Sequence, residues 1–424
     1  MPLTLPLSRL GAIAVVSMTL VAACSTSGER GAVTVETVPA TSTTTHPNDG
    51  ALVIGAILPR SGSAADLGSS MSEALAVGVA EVNADGGVYG KPIRLITAEE
   101  GTNPATAELA VQALAPRVDA LIGPTSSLNT LGTLSSAVGA GVLTCSPTAT
   151  ALALDNFPDD NLFFRTIPSD SLQAGAIAKL VEASGSRRAV VMYLDDGYGR
   201  PFGEAAETAI AALGTTVAAT IGFTANEDSI SAAVKDVLTN EPEVVAVIAD
   251  GVTGPAIINA IDAAAPGQLL YVVNDAMRRP APSAQPFSPE LALRVSGVSP
   301  VAYTNSAAFS QALQSVNPAA TGLYAQNAYD CLAIIALAAQ VVGSDQPTEI
   351  ASAVSSVSSS GSSCTMYSAC SDLLSDGRNI DYNGPSGNLA IDANGNVVAA
   401  NFEKFRFDSS GRDVADGTVA IDAG

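Results

Sequence analysis

Residues 51–96 read ALVIGAILPRSGSAADLGSSMSEALAVGVAEVNADGGVYGKPIRLI, and the period changes three times within them. Leu52 to Ile57 is a short apolar run suited to a strand buried on both faces. Met71, Leu75, Val79 and Val82 recur at four- and three-residue spacing, which places them on one face of a helix. Gly86-Gly87 breaks that helix, and Ile93 to Ile96 is a second apolar run. The alternation continues. Pro104 opens a helix, Ala120 to Gly123 is a strand, Ser126 to Val138 a helix and Val142 to Cys145 a strand. This βαβαβαβ order is the mark of a doubly wound α/β sheet with helices on both faces.

A second series begins near Asp170. Gln173 to Glu182 and Phe202 to Leu213 have helical spacing, and strands are expected at Arg188–Leu194, Thr216–Ile221, Val244–Ala249 and Leu269–Val273. Two lobes of similar architecture follow, as a 424-residue chain exceeds what one core usually supports. Beyond about Val298 the pattern loosens. Leu323 to Val342 is a long Ala-rich helix, Ser352 to Ser363 is Ser-rich, and Asn388–Ile391 and Phe402–Phe407 are β-like. Asp392 to Asn396 has calcium-loop residues, but its Gly comes too early and the closing Glu is missing, so a turn is expected.

Composition excludes several functions. The net charge of −22 argues against nucleic acid, which needs basic residues to neutralise phosphates. The only histidine is His46, in the Ser/Thr/Pro-rich stretch 24–50, which is expected to be a flexible tether. A Ser-His-Asp or Cys-His catalytic set in the folded body is therefore excluded, and so is a His-rich metal site. No Gly-x-x-x-x-Gly-Lys-Ser/Thr loop is present, so the chain does not hydrolyse ATP by that device. No metal, no cofactor and no enzymatic activity are expected.

The N-terminus carries Arg9, an apolar run from Leu10 to Ala23 too short to span a bilayer comfortably, and then Val21-Ala22-Ala23-Cys24. This resembles the lipobox of bacterial lipoproteins. The resemblance implies that residues 1–23 are a signal peptide, that Cys24 is lipidated, and that the protein is extracytoplasmic and anchored to the cell membrane. Cys364 and Cys370 lie close together in a polar stretch of an exported protein and read as a local disulfide. Cys145 and Cys331 fall in apolar elements and read as buried free thiols rather than a pair, although the sequence leaves a bond between them open.

The ordered motifs carry a family likeness. They are IGAILPRSGSAADLGSS, AVGVAEVNADGGVYGKPIRLI, ALIGPTSS, SPTATAL, FFRTIPSD, DDGYG and YNGPSGNLAIDANGN. Together they resemble the branched-chain amino acid binding proteins of the type I periplasmic-binding fold, which serve ABC importers, and the likeness runs from about Leu52 to the C-terminus. It implies two Rossmann-like lobes joined by a three-crossing hinge, with lobe one at 51–168 plus 298–385 and lobe two at 169–297 plus 386–424. It further implies a monomer that closes on an amino acid or a related amide or amine, and that passes it to membrane permeases with their ATPases. A ligand-sensing lipoprotein that serves a signalling receptor is the alternative.

Site residues follow from the same resemblance. Ser127, Thr148 and Thr150, after two lobe-one strands, are expected at the ligand's carboxylate and amino groups. Ser126 is the expected cap of the following helix. Tyr198 and Asp275 come from lobe two, with Asp275 facing the ligand ammonium. Tyr324 forms a wall, and Leu67 stands where relatives place an aromatic. Asp250 falls where a Tyr is frequent, making the lid more acidic than an aliphatic ligand needs. One or more cationic groups on the ligand, a pocket that is polar rather than aliphatic, or charge compensation by Arg278-Arg279 would account for that. Asp170, at the lobe crossing, is either a helix cap or a site residue.

Overall fold

The computed structural model describes residues 48–278 and 287–422. The expected signal peptide, Cys24, most of the expected tether including His46, and Arg279 lie outside the described residues.

In lobe one, β1 (Val53–Leu58), β2 (Arg94–Glu99), β3 (Ala120–Ile122), β4 (Leu143–Ser146) and β5 (Phe163–Arg165) form a parallel sheet of order β2-β1-β3-β4-β5. The sides of β1 divide as its pleat requires. Ile54, Ala56 and Leu58 join a core with α1 (Ala65–Ala84), while Val53 and Ile57 pack with α2 (Pro104–Leu114) and the end of α3 (Ser127–Gly139). Both faces are covered, which is why the strand reads as an unbroken apolar run.

Lobe two begins with α4 (Asp170–Ala183). Then come β6 (Arg188–Leu194), α5 (Gly199–Ala212), β7 (Thr216–Phe223), α6 (Glu227–Thr239), β8 (Val244–Ile248), α7 (Thr253–Ala264), β9 (Leu270–Val273), α8 (Pro289–Ala292) and β10 (Val295–Pro300). The chain then returns to lobe one for α9 (Ala307–Val316), α10 (Ala325–Val342), α11 (Pro347–Val357), β11 (Ser362–Cys364), α12 (Tyr367–Ser375) and β12 (Ile380–Tyr382). It ends in lobe two with β13 (Ala399–Phe407) and β14 (Asp413–Asp422), giving a second sheet of order β14-β13-β10-β9-β8-β6-β7. This is the two-lobe, three-crossing α/β architecture.

Two crossings fall later than the sequence suggested. β10 hydrogen-bonds in parallel with β9 and antiparallel with β13, so lobe two runs through Pro300 rather than ending at 297. Leu389, Ile391 and Val397 are buried in the lobe-one core, so the last crossing falls just before β13 rather than at 386. Asn388–Ile391 is not a strand, because only Ile391 bridges, to Val397. Asp392–Asn396 is the expected turn, with Asp392 Oδ1 accepting from the amides of Asn394 and Asn396 at 2.9 Å each.

The free-thiol expectation for Cys145 and Cys331 is corrected. The two are bonded, with Cα atoms 5.8 Å apart, tying β4 to α10. Their 186-residue separation hid the pairing. Cys364 and Cys370 form the expected local bridge. α10 is long and apolar enough to cross a membrane, but most of it is buried in the lobe-one core.

Candidate ligand-binding site

A cavity of about 410 Å³ lies at the carboxyl ends of strands from both lobes. Leu67, Ser127, Thr148, Thr150 and Tyr324 line it from lobe one, and Tyr198, Asp250 and Asp275 from lobe two. The fold thus brings together residues separated by up to 257 positions in the chain (Leu67 to Tyr324).

Lobe one contributes interlocked turns. After β3 the chain passes Gly123 at φ 92°, where an added Cβ would lie 2.1 Å from the Ile57 carbonyl oxygen. Only glycine allows this close approach to β1. The buried Glu100 carboxylate then accepts from Thr125 N (3.0 Å), Thr125 Oγ1 (2.6 Å), Ser126 N (3.0 Å) and Asn129 Nδ2 (2.8 Å). Glu100 thus fixes the turn that leads into α3, whereas the Ser126 side chain does not make the capping bond expected of it, and the first-turn amides of α3 are left without a side-chain cap. Ser127 Oγ accepts from Thr150 N at 3.1 Å and Ala151 N at 3.2 Å, which leaves its proton available to a ligand oxygen. Thr148 Oγ1 donates to Thr125 O at 2.9 Å. Hydroxyls and the first-turn amides of α3 thus face the cavity on preorganised loops, a setting suited to a carboxylate.

Lobe two supplies the opposite wall. Asn274, fully buried after β9, accepts from Ala249 N at 3.1 Å and donates to Tyr198 Oη at 3.3 Å. The Tyr198 ring meets Phe202 edge-on at 5.9 Å. Asp196 Oδ1 accepts from the amides of Tyr198 (2.9 Å) and Gly199 (2.7 Å). Asp250, which is exposed, accepts from Val252 N and Thr253 N at 2.7 Å each. Asp250 thus caps the entry to α7, a structural use for a carboxylate that the sequence assigned to ligand. Tyr324 holds φ 51° in the left-handed region at the start of α10. That is a strained conformation for an aromatic residue, and here it sits at the cavity wall.

A family profile described as periplasmic binding protein matches residues 51–402. The chain belongs to the periplasmic binding protein family. It is 29% identical over 371 residues to the chemotactic signal transduction system substrate-binding protein BasB of Halobacterium salinarum, covering 81% of this chain and 84% of BasB. It is 26% identical over 196 residues to the Leu/Ile/Val-binding protein BraC3 of Rhizobium johnstonii, covering 46% of this chain and 53% of that one. The branched-chain amino acid substrate-binding protein LivJ from Streptococcus pneumoniae, solved with isoleucine, superposes with a TM-score of 0.66 at 20% identity. That match covers 88% of this chain and 99% of LivJ, and it shows the type I fold.

The electrostatics of this periplasmic binding protein centre on residues the sequence reading weighed lightly. Asp170, the first residue of α4, is completely buried, and its amide donates to Thr150 O at 2.8 Å. Burial, and after it the charge of Asp275, pushes the Asp170 carboxyl well above the usual range. Burial likewise raises Asp275. Burial also raises the Tyr198 phenol, which stays protonated and able to donate. Among the described residues, no Lys, Arg or His lines the cavity. Arg278 does not serve there: its Nε donates to Asp413 (2.8 Å), and its Nη1 to Ser299 Oγ (2.8 Å) and Glu403 (2.7 Å). Glu100, Gln173 and Asn274 escaped the sequence reading because each acts on a partner distant or hidden in the chain. Asp196 was legible only as part of DDGYG.

Proposed function

We propose that this periplasmic binding protein captures a zwitterionic α-amino acid with an apolar side chain, by closure of the two lobes over the cleft. The observation that carries the reading is the polarity of the cavity. Lobe one offers Ser127, Thr150 and helix-terminal amides to a carboxylate. Lobe two offers Asp275, backed by Asp170, to an ammonium. Leu67, Leu128, Ile167 and Leu194 line the remainder, which favours an aliphatic substituent over a second cation. Asp250, engaged as a helix cap, does not require one.

In this reading the protein is held outside the cell by a lipid on Cys24 and delivers its ligand to the permeases of an ABC importer. A sensing role is the second reading. It is supported by BasB, the relative matched over 81% of this chain, whose name places it in a chemotactic system. Both roles use the same closed, ligand-bound state.

A thermal-shift screen against amino acids, amides, polyamines and small carboxylates tests the ligand class. A ligand at about 100 times its Kd stabilises the folded state by about 2.7 kcal/mol. A shift with leucine, isoleucine or valine supports the reading. Shifts confined to amides or polyamines overturn it.

A further inference from the structure

A second cavity, of about 780 Å³, lies against the hinge and is larger than the ligand cleft. All three crossing segments form its wall, through Thr166 and Pro168, Pro300 and Val301, and Val397 and Ala399. Ile167, between Thr166 and Pro168, lines the ligand cleft instead. Successive side chains of one extended segment thus face two different cavities, and the hinge is a wall they share.

The chemistry of this cavity differs from that of the cleft. Asn305, Asn327, Asn388, Asn401 and Thr418 present amides and hydroxyls, and among the described residues Asp422 is the one charged residue lining it. Asn327 is 3% exposed. Its Nδ2 donates to Thr166 O at 2.7 Å, while its Oδ1 has no partner among the described residues. Dense neutral donors and acceptors with almost no charge suit an uncharged molecule rich in hydroxyls. The volume is within the range of small-molecule sites.

The first turn of α10 links the two cavities. Its cap, Tyr324, lines the ligand cleft, and the Tyr324 amide donates to Ala302 O at 2.8 Å. Gln326 Nε2 donates to Val301 O at 3.0 Å, and Thr166 Oγ1 donates to Asn327 O at 2.8 Å. One helical turn therefore clamps two of the three crossings between the cavities.

We propose that the cavity at the hinge is a second binding site, for a sugar or polyol, and that its occupancy favours closure of the ligand cleft. Closing one side of a hinge opens the other, so a molecule wedged behind the crossings holds the lobes in the closed relation. By linkage each ligand then strengthens the other. The site itself is independent of the amino acid assignment, whereas the linkage rests on it.

The chain contains no Trp, so Asn388→Trp on the exposed rim supplies a unique fluorophore in the full-length protein. Titration with glucose, trehalose and myo-inositol is expected to shift its emission saturably for at least one of them. Thr418→Trp, on an exposed strand position, is expected to obstruct the cavity and abolish the binding heat of that compound in calorimetry while leaving L-leucine binding at least as tight as in the wild type. Saturating the second site is expected to tighten L-leucine binding by about threefold or more. No saturable response to any of the three, up to about 50 mM, overturns the site. A response that Thr418→Trp does not remove also overturns it. Unchanged or weakened leucine affinity overturns the linkage. If L-leucine does not bind at all, the linkage falls with the amino acid reading, and the fluorescence titration still decides the second site.

Discussion

Asp170 and Asp275 share one amide. Oriented to satisfy both, the Gln173 side-chain nitrogen lies 3.1 Å from Asp275 Oδ1 and 3.3 Å from Asp170 Oδ1. One carboxylate comes from the start of α4 and the other from the turn after β9, 105 residues apart. Neutral donors do not offset the burial of two carboxylates, so the pair holds protons more tightly than ordinary aspartates do. In the proposed reading an incoming ammonium supplies the missing charge.

Removing that charge partner is expected to weaken binding strongly. Asp275→Asn should cost about 2 kcal/mol or more, roughly thirtyfold in Kd for a bound α-amino acid. Asp250→Ala should change Kd less than about threefold, while loss of the α7 cap lowers stability by about 1 kcal/mol. Titration calorimetry and thermal unfolding of both variants check this. Equal Kd effects would contradict the division of roles.

Ligand affinity is expected to fall on acidification. Ligand binding favours the charged forms of Asp170 and Asp275, whose pKa values are raised in the free protein. Between the ordinary aspartate range near about pH 4 and that raised range, binding must therefore expel a proton. Calorimetry in two buffers of different ionisation heat reads the release directly. A Kd that is flat across this window, with no buffer dependence, would sink the assignment.

The buried Asp330 should make stability decline as pH rises. It accepts from Tyr382 Oη at 2.5 Å and Ser386 N at 3.0 Å, yet burial lifts its pKa to about 7. A raised carboxyl binds its proton more tightly folded than unfolded. Its stabilising contribution is full below the unfolded value near about 4 and is lost as pH rises through the folded value. Every tenfold gain in proton affinity on folding is worth about 1.4 kcal/mol. Asp330→Asn should flatten the wild-type decline in melting temperature between those limits. Asp119, raised by burial to about 7, contributes with the same sign.

Breaking the Cys145–Cys331 bridge, by changing both residues to Ser, is expected to cost about 2–5 kcal/mol, because the bridge closes a long loop of the unfolded chain. Denaturant unfolding should show the loss together with a larger m-value, because the unfolded chain without the bridge is less compact. The bridge also joins the strand before Thr148 and Thr150 to the helix after Tyr324, so ligand affinity should fall as well. A double variant as stable as the wild type would show that the bridge does not form.

Cys24→Ser tests the anchor. The expected result is loss of membrane association and of lipid labelling in cells, with ligand binding by the folded lobes unchanged. Persistent lipid labelling of the variant would remove Cys24 as the modified residue.

The strand and helix order was legible because a strand buried on both faces must be apolar throughout and its covering helices must repeat every three to four residues. β1, β3 and β4 and their covering helices meet both demands, while the edge strand β2, half exposed and carrying Arg94 and Glu99, was legible only from its apolar start. The eight cleft residues were legible only through family likeness, since Ser127 and Thr150 taken alone are ordinary cap and turn chemistry. Tertiary structure alone decided the rest. Cys145 meets Cys331, Glu100 holds the amides of Thr125 and Ser126 ahead of α3, and residues 298–300 and the 386–397 segment change lobes relative to the expected boundaries. Periodicity reports which face of an element is buried and not what it is buried against. Pairings between groups far apart in the chain, including the Asp170–Gln173–Asp275 cluster, exist only once the lobes have folded and crossed.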